Sequence, residues 1–284
     1  MKKKHILLSL ILSLFLILLS SCKGGNARAE VYDDAEKYLV GNQTYSEVIK
    51  NLNISWVMGK VTLVQDVNVQ AIEIIEENDL ENKYKVHSYL SDGTLYVKFW
   101  ESGVQGVVLG TDKYVTIKYP SAVESINVVV TSGTVEADYL ASKKVNIVRT
   151  SGTTKIGKME ADDLRYIQTS GNTNINQLIS EKTQVHTTSG RVLINKIECE
   201  TFNLIYTSGG INLEFISATN VKVLGTRGTQ TIVLPEEGAT VHYRLTSGSF
   251  KCHREGEEKN HTVVIGDGKA QFDLSVSSGN VIIK

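Results

Sequence analysis

Thr131-Ser132-Gly133 returns as Thr150-Ser151-Gly152, Thr169-Ser170-Gly171, Thr188-Ser189-Gly190 and Thr207-Ser208-Gly209, each 19 residues after the one before. Thr226-Arg227-Gly228 keeps the step, Thr246-Ser247-Gly248 follows 20 residues on, and Ser277-Ser278-Gly279 comes after a longer insertion. A fixed period of about 20 residues marks a stacked repeat architecture, in which each unit buries its apolar face only against its neighbours.

Counted forward from each glycine, the same residue classes recur. Two places on stand Val135, Thr154, Thr173, Val192 and Ile211; four places on stand Ala137, Ile156, Ile175, Ile194 and Leu213. Seven on come Leu140, Met159, Leu178, Ile197 and Ile216. Twelve on come Val145, Leu164, Thr183, Phe202 and Val221, and fourteen on Ile147, Tyr166, Val185, Leu204 and Val223. A spacing of two is the strand period, because alternate side chains leave a strand on opposite faces. Each unit therefore reads as a strand, a turn at a polar run such as Ser142-Lys143-Lys144, a second strand and a glycine corner. Glycine suits that corner because it reaches positive φ without steric cost. The serine before it is expected to point inward, its hydroxyl bonding a neighbouring serine or the corner backbone. Like then stacks on like at the inter-strand spacing of about 4.8 Å. The predicted fold class is all-β, a β-solenoid of 19-residue, two-strand coils cornered at Thr-Ser-Gly. A β-sandwich also places turns roughly every 8–12 residues, but nothing in a sandwich calls for Thr-Ser-Gly at a constant interval.

Upstream the same grammar is looser. Leu52, Ile54 and Trp56 alternate, Gly59 makes a corner, and Val61 and Leu63 alternate again. Ile72 and Ile74 form a strand, as do Leu95, Val97 and Phe99 after the Asp92-Gly93 turn; Val115, Ile117 and Tyr119 run into Pro120. Ile126, Val128 and Val130 lead to the first Thr-Ser-Gly corner. Residues 45–130, which hold both tryptophans (Trp56 and Trp100), are expected to form irregular coils and a cap over an end where bare strand edges would invite aggregation. Residues 131–284 form the regular repeats, and 45–284 make a single domain. Tyr32 to Val40 is expected to hold a helical turn or two, capped by Asp33 or Asp34 and stopped by Gly41.

Residues 1–21 read as a leader. Lys2, Lys3 and Lys4 form a positive start, Ile6 to Leu19 an apolar run, and Leu19-Ser20-Ser21-Cys22 resembles the processing site of a bacterial lipoprotein. The run is short for a spanning helix and ends in small residues at a cysteine. Cleavage would leave Cys22 as the lipid attachment residue, with 22–44 as a lipidated tether and short helical segment, and the acyl chains would hold the protein at a membrane surface. The expected location is the bacterial cell envelope, extracytoplasmic, at the outer membrane or cell surface. Losing the three leader lysines takes the formal charge from −1 to −4. No block of like charge stands out, so nucleic acid is not an expected partner. Two prolines and 23 glycines in 284 residues suit a glycine-cornered β protein.

Tyr38, Gly41, Ile49, Leu52, Ile54, Trp56, Gly59 and Val61, followed by the tandem Thr-Ser-Gly strands, resemble the bacterial putative adhesin family of β-strand-repeat proteins. The likeness covers nearly the whole mature chain. It implies a domain of unknown function, often carried on lipoproteins and similar to auto-transporter adhesin head domains. It implies fold and location, and brings no ligand-contacting residue with it.

Little in the chain points to chemistry. The six histidines are His5, His87, His186, His242, His253 and His261; no pair has the spacing of a metal-binding helix and no Cys-x-x-Cys occurs. His253 and His261 flank Glu255, Glu257 and Glu258 in the last insertion, a run that reads as a solvated loop; no metal and no cofactor is expected. Taken in chain order, Cys199 and Cys252 lie three corners apart, about 14 Å along the stack. That exceeds the limit of about 7 Å between Cα atoms for a disulfide, so both are expected to be free thiols. A carbohydrate-active β-helix enzyme would need clustered carboxylates on one exposed face. The outward positions of the first strands are Glu136, Lys155, Asn174, Leu193 and Asn212, then Asp138, Gly157, Asn176, Asn195 and Glu214, with no two acids in consecutive coils. Asp162 and Asp163 read as turn formers. No catalytic residue is assigned.

Two surface features could bind a partner. One is the outer face carrying Asn174, Asn176, Asn195 and Asn212, whose amides both donate and accept, as sugar hydroxyls require. The other is the row fifteen places after each glycine: Val148, Ile167, His186, Ile205 and Leu224. Strict alternation points it outward as an apolar stripe; a turn at that point, or cover from the N-terminal segment, would make it internal, and the internal reading is slightly favoured. The threonine column lacks the paired array an ice-binding surface needs. The function expected is that of a non-catalytic, lipid-anchored envelope protein presenting a repetitive β surface for adhesion or for protein or glycan interaction. The alternatives are a periplasmic accessory or sensor module that binds a partner protein and, with less support, a carbohydrate-active enzyme.

Overall fold

Alternation at a period of two lets this chain bury its apolar residues only as strands, and the computed structural model is all-β. It describes residues 30–104 and 113–284; the leader 1–21, Cys22 and the tether 23–29 lie outside the described residues. The N-terminal part contributes β1 (Leu39–Val40), β2 (Gln43–Tyr45), β3 (Asn51–Gln65), β4 (Ile72–Glu76), β5 (His87–Ser91), β6 (Thr94–Lys98) and β7 (Tyr114–Tyr119). The repeats form β8 (Ser125–Ala141), β9 (Lys144–Gln168), β10 (Asn172–Thr187) and β11 (Arg191–Val233). Then come β12 (Gly238–Cys252), β13 (Glu257–Lys259), β14 (Thr262–Gly266) and β15 (Gln271–Ile283). Among the described residues all belong to one 15-stranded sheet.

In the repeats each unit pairs in parallel with the one 19 residues before it: Gly152 lies opposite Gly133, and Asn172 opposite both Thr153 and Arg191. Strands as long as β9 and β11, with 25 and 43 residues, round a corner and continue, so each unit has two walls that face one another. Tyr166, on a second wall, reaches across to Thr154 Oγ1 at 3.0 Å and Thr173 Oγ1 at 2.6 Å on first walls. The columns two, four, twelve and fourteen places after glycine are buried through the middle repeats, with Val135, Val192, Phe202 and Leu204 at 0% exposure. The seventh position slips once. Ile216, expected inside, is 48% exposed, and Phe215 is buried in its stead. Phe215 packs edge-on against both Phe202 and Phe272, which explains the shift.

Stacking is tightest at the corners. Gly152, Gly171, Gly190, Gly209, Gly228 and Gly279 have φ between 106° and 150°. A Cβ built on any of them would lie 1.8–2.1 Å from the carbonyl oxygen of the glycine beneath. Two constraints thus act on one residue: a backbone region that favours glycine and a carbonyl that leaves no room for a methyl group. The serines do not point inward. Ser151, Ser170 and Ser189 are half-buried, and their hydroxyls donate to the carbonyls of Thr131, Thr150 and Thr169 at 3.2–3.4 Å. The corner glycine breaks the alternation, so the serine bonds backbone along the edge of the stack.

The two ends are finished differently. At the N-terminal end β3 runs under β8 with Gly59 opposite Gly133, and β6 and β7 pair with β3 in turn. Trp56, Phe99 and Trp100 pack edge-on there and are buried. Among them lies Lys113, whose Nζ donates to the Tyr84 carbonyl at 2.6 Å and the Phe99 carbonyl, and stands 2.9 Å from Glu76 Oε1. Burial pulls its pKa down to about 8 against the opposing pull of Glu76. The expected helical segment shrinks to a single 3-10 turn, Ala35–Lys37. Asp34 precedes it at φ 54°, bonding Lys37 instead of capping the turn, and β1 follows directly. At the C-terminal end chain order and stacking order part company. β15 lies between β11 and β12, so Gly279 sits over Gly228 and Gly248 over Gly279. Cys199 and Cys252 are free thiols, as expected, but four corners apart, about 19 Å along the stack, not three.

Two outcomes follow from these contacts. Gly190→Ala should lower unfolding stability by roughly 2–6 kcal/mol, the sum of backbone strain and overpacking against a fixed carbonyl. Gly210→Ala, with nothing within 4 Å of its Cβ, should change it little; denaturant titration of both variants reads the difference. For Lys113 the folded pKa lies below the unfolded value of 10.5, so the penalty is fully present below pH 8 and fades as pH rises toward 10.5. The stability of the wild type relative to a Lys113→Met, Glu76→Gln double variant should therefore rise across that window, as measured by unfolding at each pH.

Candidate interaction surface

Because coils stack in register, residues that point outward form columns as straight as those inside. On the first wall Asn174 and Asn176 are exposed, while Asn195 and Asn212 are half-buried. They do not form one row. Asn174 stands between Lys155 and Leu193, and the ladder breaks between the Ile175–Ile194 and Leu178–Ile197 pairs, where Asn176 and Asn195 sit at a bend. Lys196, at that bend, has φ 46°.

The second wall carries a more continuous surface. Val148, Ile167, His186 and Leu224 are half-buried and Ile205 is 45% exposed, so the row faces outward and the favoured internal reading does not hold. The alternation carries through to the next column, where Arg149, Gln168, Thr187 and Tyr206 are the buried ones. Ile167 pairs with His186 and His186 with Ile205; Val129, 37% exposed, extends the row one coil downward. Burial and then the nearby Arg165 hold the His186 pKa below its ordinary value, so the row carries no charge near neutral pH.

Beside this row runs an amide ladder that sequence reading missed. Asn127 Nδ2 donates to Asn53 Oδ1 at 3.0 Å, Asn146 Nδ2 to Asn127 Oδ1, and Arg165 Nη1 to Asn146 Oδ1 at 3.1 Å. The signal was present: each of these residues stands six places before a corner glycine. The turn opposite the glycine corner was expected, but the groove along it was not. There Asp162, Glu181 and Glu200, each ten places after a glycine, line an open groove of about 580 Å³ with Glu160 and Glu198, over a floor of Ala161, Ser180, Cys199 and Ala218. Lys158, then Tyr139, hold the Glu160 pKa below the usual carboxylate range. Burial pushes the Cys199 thiol up to about 12, which leaves it protonated and unreactive.

The histidines of the last insertion do not converge. His253 is exposed after β12, and His261, at the β13–β14 turn, packs edge-on against Tyr243, whose hydroxyl donates to Glu258 at 2.5 Å. Among the described residues no group of three or more His, Cys, Asp or Glu is placed to hold a metal ion. Also among them, no helix is long and apolar enough to cross a membrane.

Fold and surfaces together define an all-β repeat protein with one many-stranded sheet. The chain belongs to the Toastrack DUF4097 family, whose family model matches residues 49–284. Among solved structures it is similar to a putative adhesin from Bacteroides fragilis, at 13% identity over 87% of this chain and 97% of the other, with a TM-score of 0.54. A putative adhesin from Parabacteroides merdae aligns at 16% identity over 86% of this chain and 96% of its own, with a TM-score of 0.49. A putative cell adhesion protein from Clostridium sporogenes aligns at 13% identity over 87% and 99%, with a TM-score of 0.32. The Bacteroides structure, at that identity, speaks to the fold alone. No protein among the curated ones matches this chain.

Replacement of Ile167 or Ile205 by lysine should leave the protein folded, with stability changed by about 0.5 kcal/mol or less, as for surface positions generally. Lysine at the buried Leu204, one residue away, should unfold it; circular dichroism melts separate the two cases.

Proposed function

We propose that this is a non-catalytic protein of the bacterial cell envelope, held by lipid on Cys22, whose 19-residue coils form a β-solenoid that displays a repeated outer face for adhesion or for protein or glycan binding. The observation that carries this reading is the second wall, where an uncharged apolar row from Val129 to Leu224 lies beside the Asn53–Asn127–Asn146–Arg165 ladder. An apolar row offers desolvation to a partner and the amides and guanidinium give direction, a pairing of roles that suits recognition. The description of the Bacteroides fragilis structure as a putative adhesin favours the same role. The Asn174–Asn212 face on the first wall is a second, more broken surface for the same use.

The test has two parts. Intact-mass analysis of the envelope protein should find Cys22 as an acylated N-terminus, and Cys22→Ala should release the chain from the membrane fraction. Protease applied to intact cells should cleave the wild type, and a panel of glycans and host surface proteins should be bound by it and lost to an Ile167→Lys, Ile205→Lys variant of unchanged stability. Protection from protease on intact cells would point to the periplasmic accessory role. Turnover of a bound glycan would sink the non-catalytic reading.

A further inference from the structure

Among the described residues, Arg149 is a charge in the interior without an opposite charge beside it. It stands in the inward column just before the corner, opposite Val130 on the coil below, and is 1% exposed. Its Nη2 donates to Tyr166 OH at 3.2 Å, Gln168 Oε1 at 2.7 Å and the Asn172 carbonyl at 3.0 Å. All three acceptors are neutral. Among the described residues no side chain or backbone group accepts a hydrogen bond from Nε or Nη1, and no carboxylate pairs with the guanidinium. Lys113, the other buried cation among the described residues, faces Glu76 and can lose its proton. A guanidinium cannot, so its burial cannot be eased by neutralisation. An uncompensated charge is among the least favourable groups a fold can enclose.

The neighbouring groups do not supply the missing charge. Tyr166, Gln168 and Thr173 are committed to one another and to Thr187 through hydrogen bonds of 2.7–3.2 Å. Below Arg149 the column continues as Val130, fully buried and apolar. We propose that a small inorganic anion, chloride under ordinary conditions, is enclosed against the Arg149 guanidinium when the coils stack. A polyatomic oxyanion would need several donors at once, and next to Val130 the guanidinium is the donor set at hand. The anion enters as the coils close and thereafter counts as part of the core.

Two measurements decide this. In thermal unfolding at constant ionic strength, with chloride exchanged for gluconate, the wild type should gain about 3–6 °C for each tenfold rise in chloride above its dissociation constant. Arg149→Met, close in volume and uncharged, should lose that dependence and match or exceed the wild type without halide. Independently, wild-type protein refolded in bromide and crystallised should show an anomalous peak at hydrogen-bond distance from the guanidinium. A wild type indifferent to halide, or a guanidinium that meets only water in such crystals, would overturn the proposal whether or not the methionine variant folds.

Discussion

The fold rests on backbone lying directly on backbone. At each corner a glycine sits against the carbonyl of the glycine beneath, closer than any side chain would allow. That approach fixes the vertical alignment of every other residue, because a strand registered at one end is registered along its length. Apolar columns inside and polar columns outside are two results of the same alignment. It also makes the outer faces repetitive: a residue class set six places before one glycine meets its like at about 4.8 Å intervals up the stack.

How much of this the sequence disclosed depends on how local each feature is. The period, the glycine corners and the inward columns were legible because they follow from spacing alone. The serine direction was not, since the reversal at a positive-φ glycine upsets simple alternation. The exchange of Ile216 for Phe215 depends on two phenylalanines far away in sequence, one of them Phe272 on the last strand. The place of β15 between β11 and β12 is a tertiary choice that no count of residues reveals. Of the surface, the row from Val148 to Leu224 was visible as a pattern, and its direction waited on whether the chain turned at Arg149. The amide ladder is written in the same register as the core, six places before a corner glycine, but on an outward position of the second wall that carries no apolar signal.

The interior is less uniform than its apolar columns suggest. A polar seam (Arg149, Tyr166, Gln168, Thr154, Thr173 and Thr187) runs just inside the corners for several coils, while Phe202, Phe215 and Phe272 fill the space farther up. A directional network of this kind holds neighbouring coils in one rotation, where aliphatic contacts alone would tolerate sliding. The N-terminal end adds a second device, a buried Lys113–Glu76 pair ringed by tryptophan and phenylalanine, where the repeat gives way to shorter strands.

Strand β15 follows β11 and β12 in the chain, yet it is slotted between them. Until Gln271–Ile283 arrives, β11 and β12 have no partner between them, and their facing edges stand about 10 Å apart, two rungs of the ladder. Closure of the sheet thus waits on a strand that comes later in the chain than both its neighbours, as an arch waits on its keystone. A chain without Gln271–Ile283 keeps two unpaired edges facing each other, and bare strand edges invite pairing with another chain.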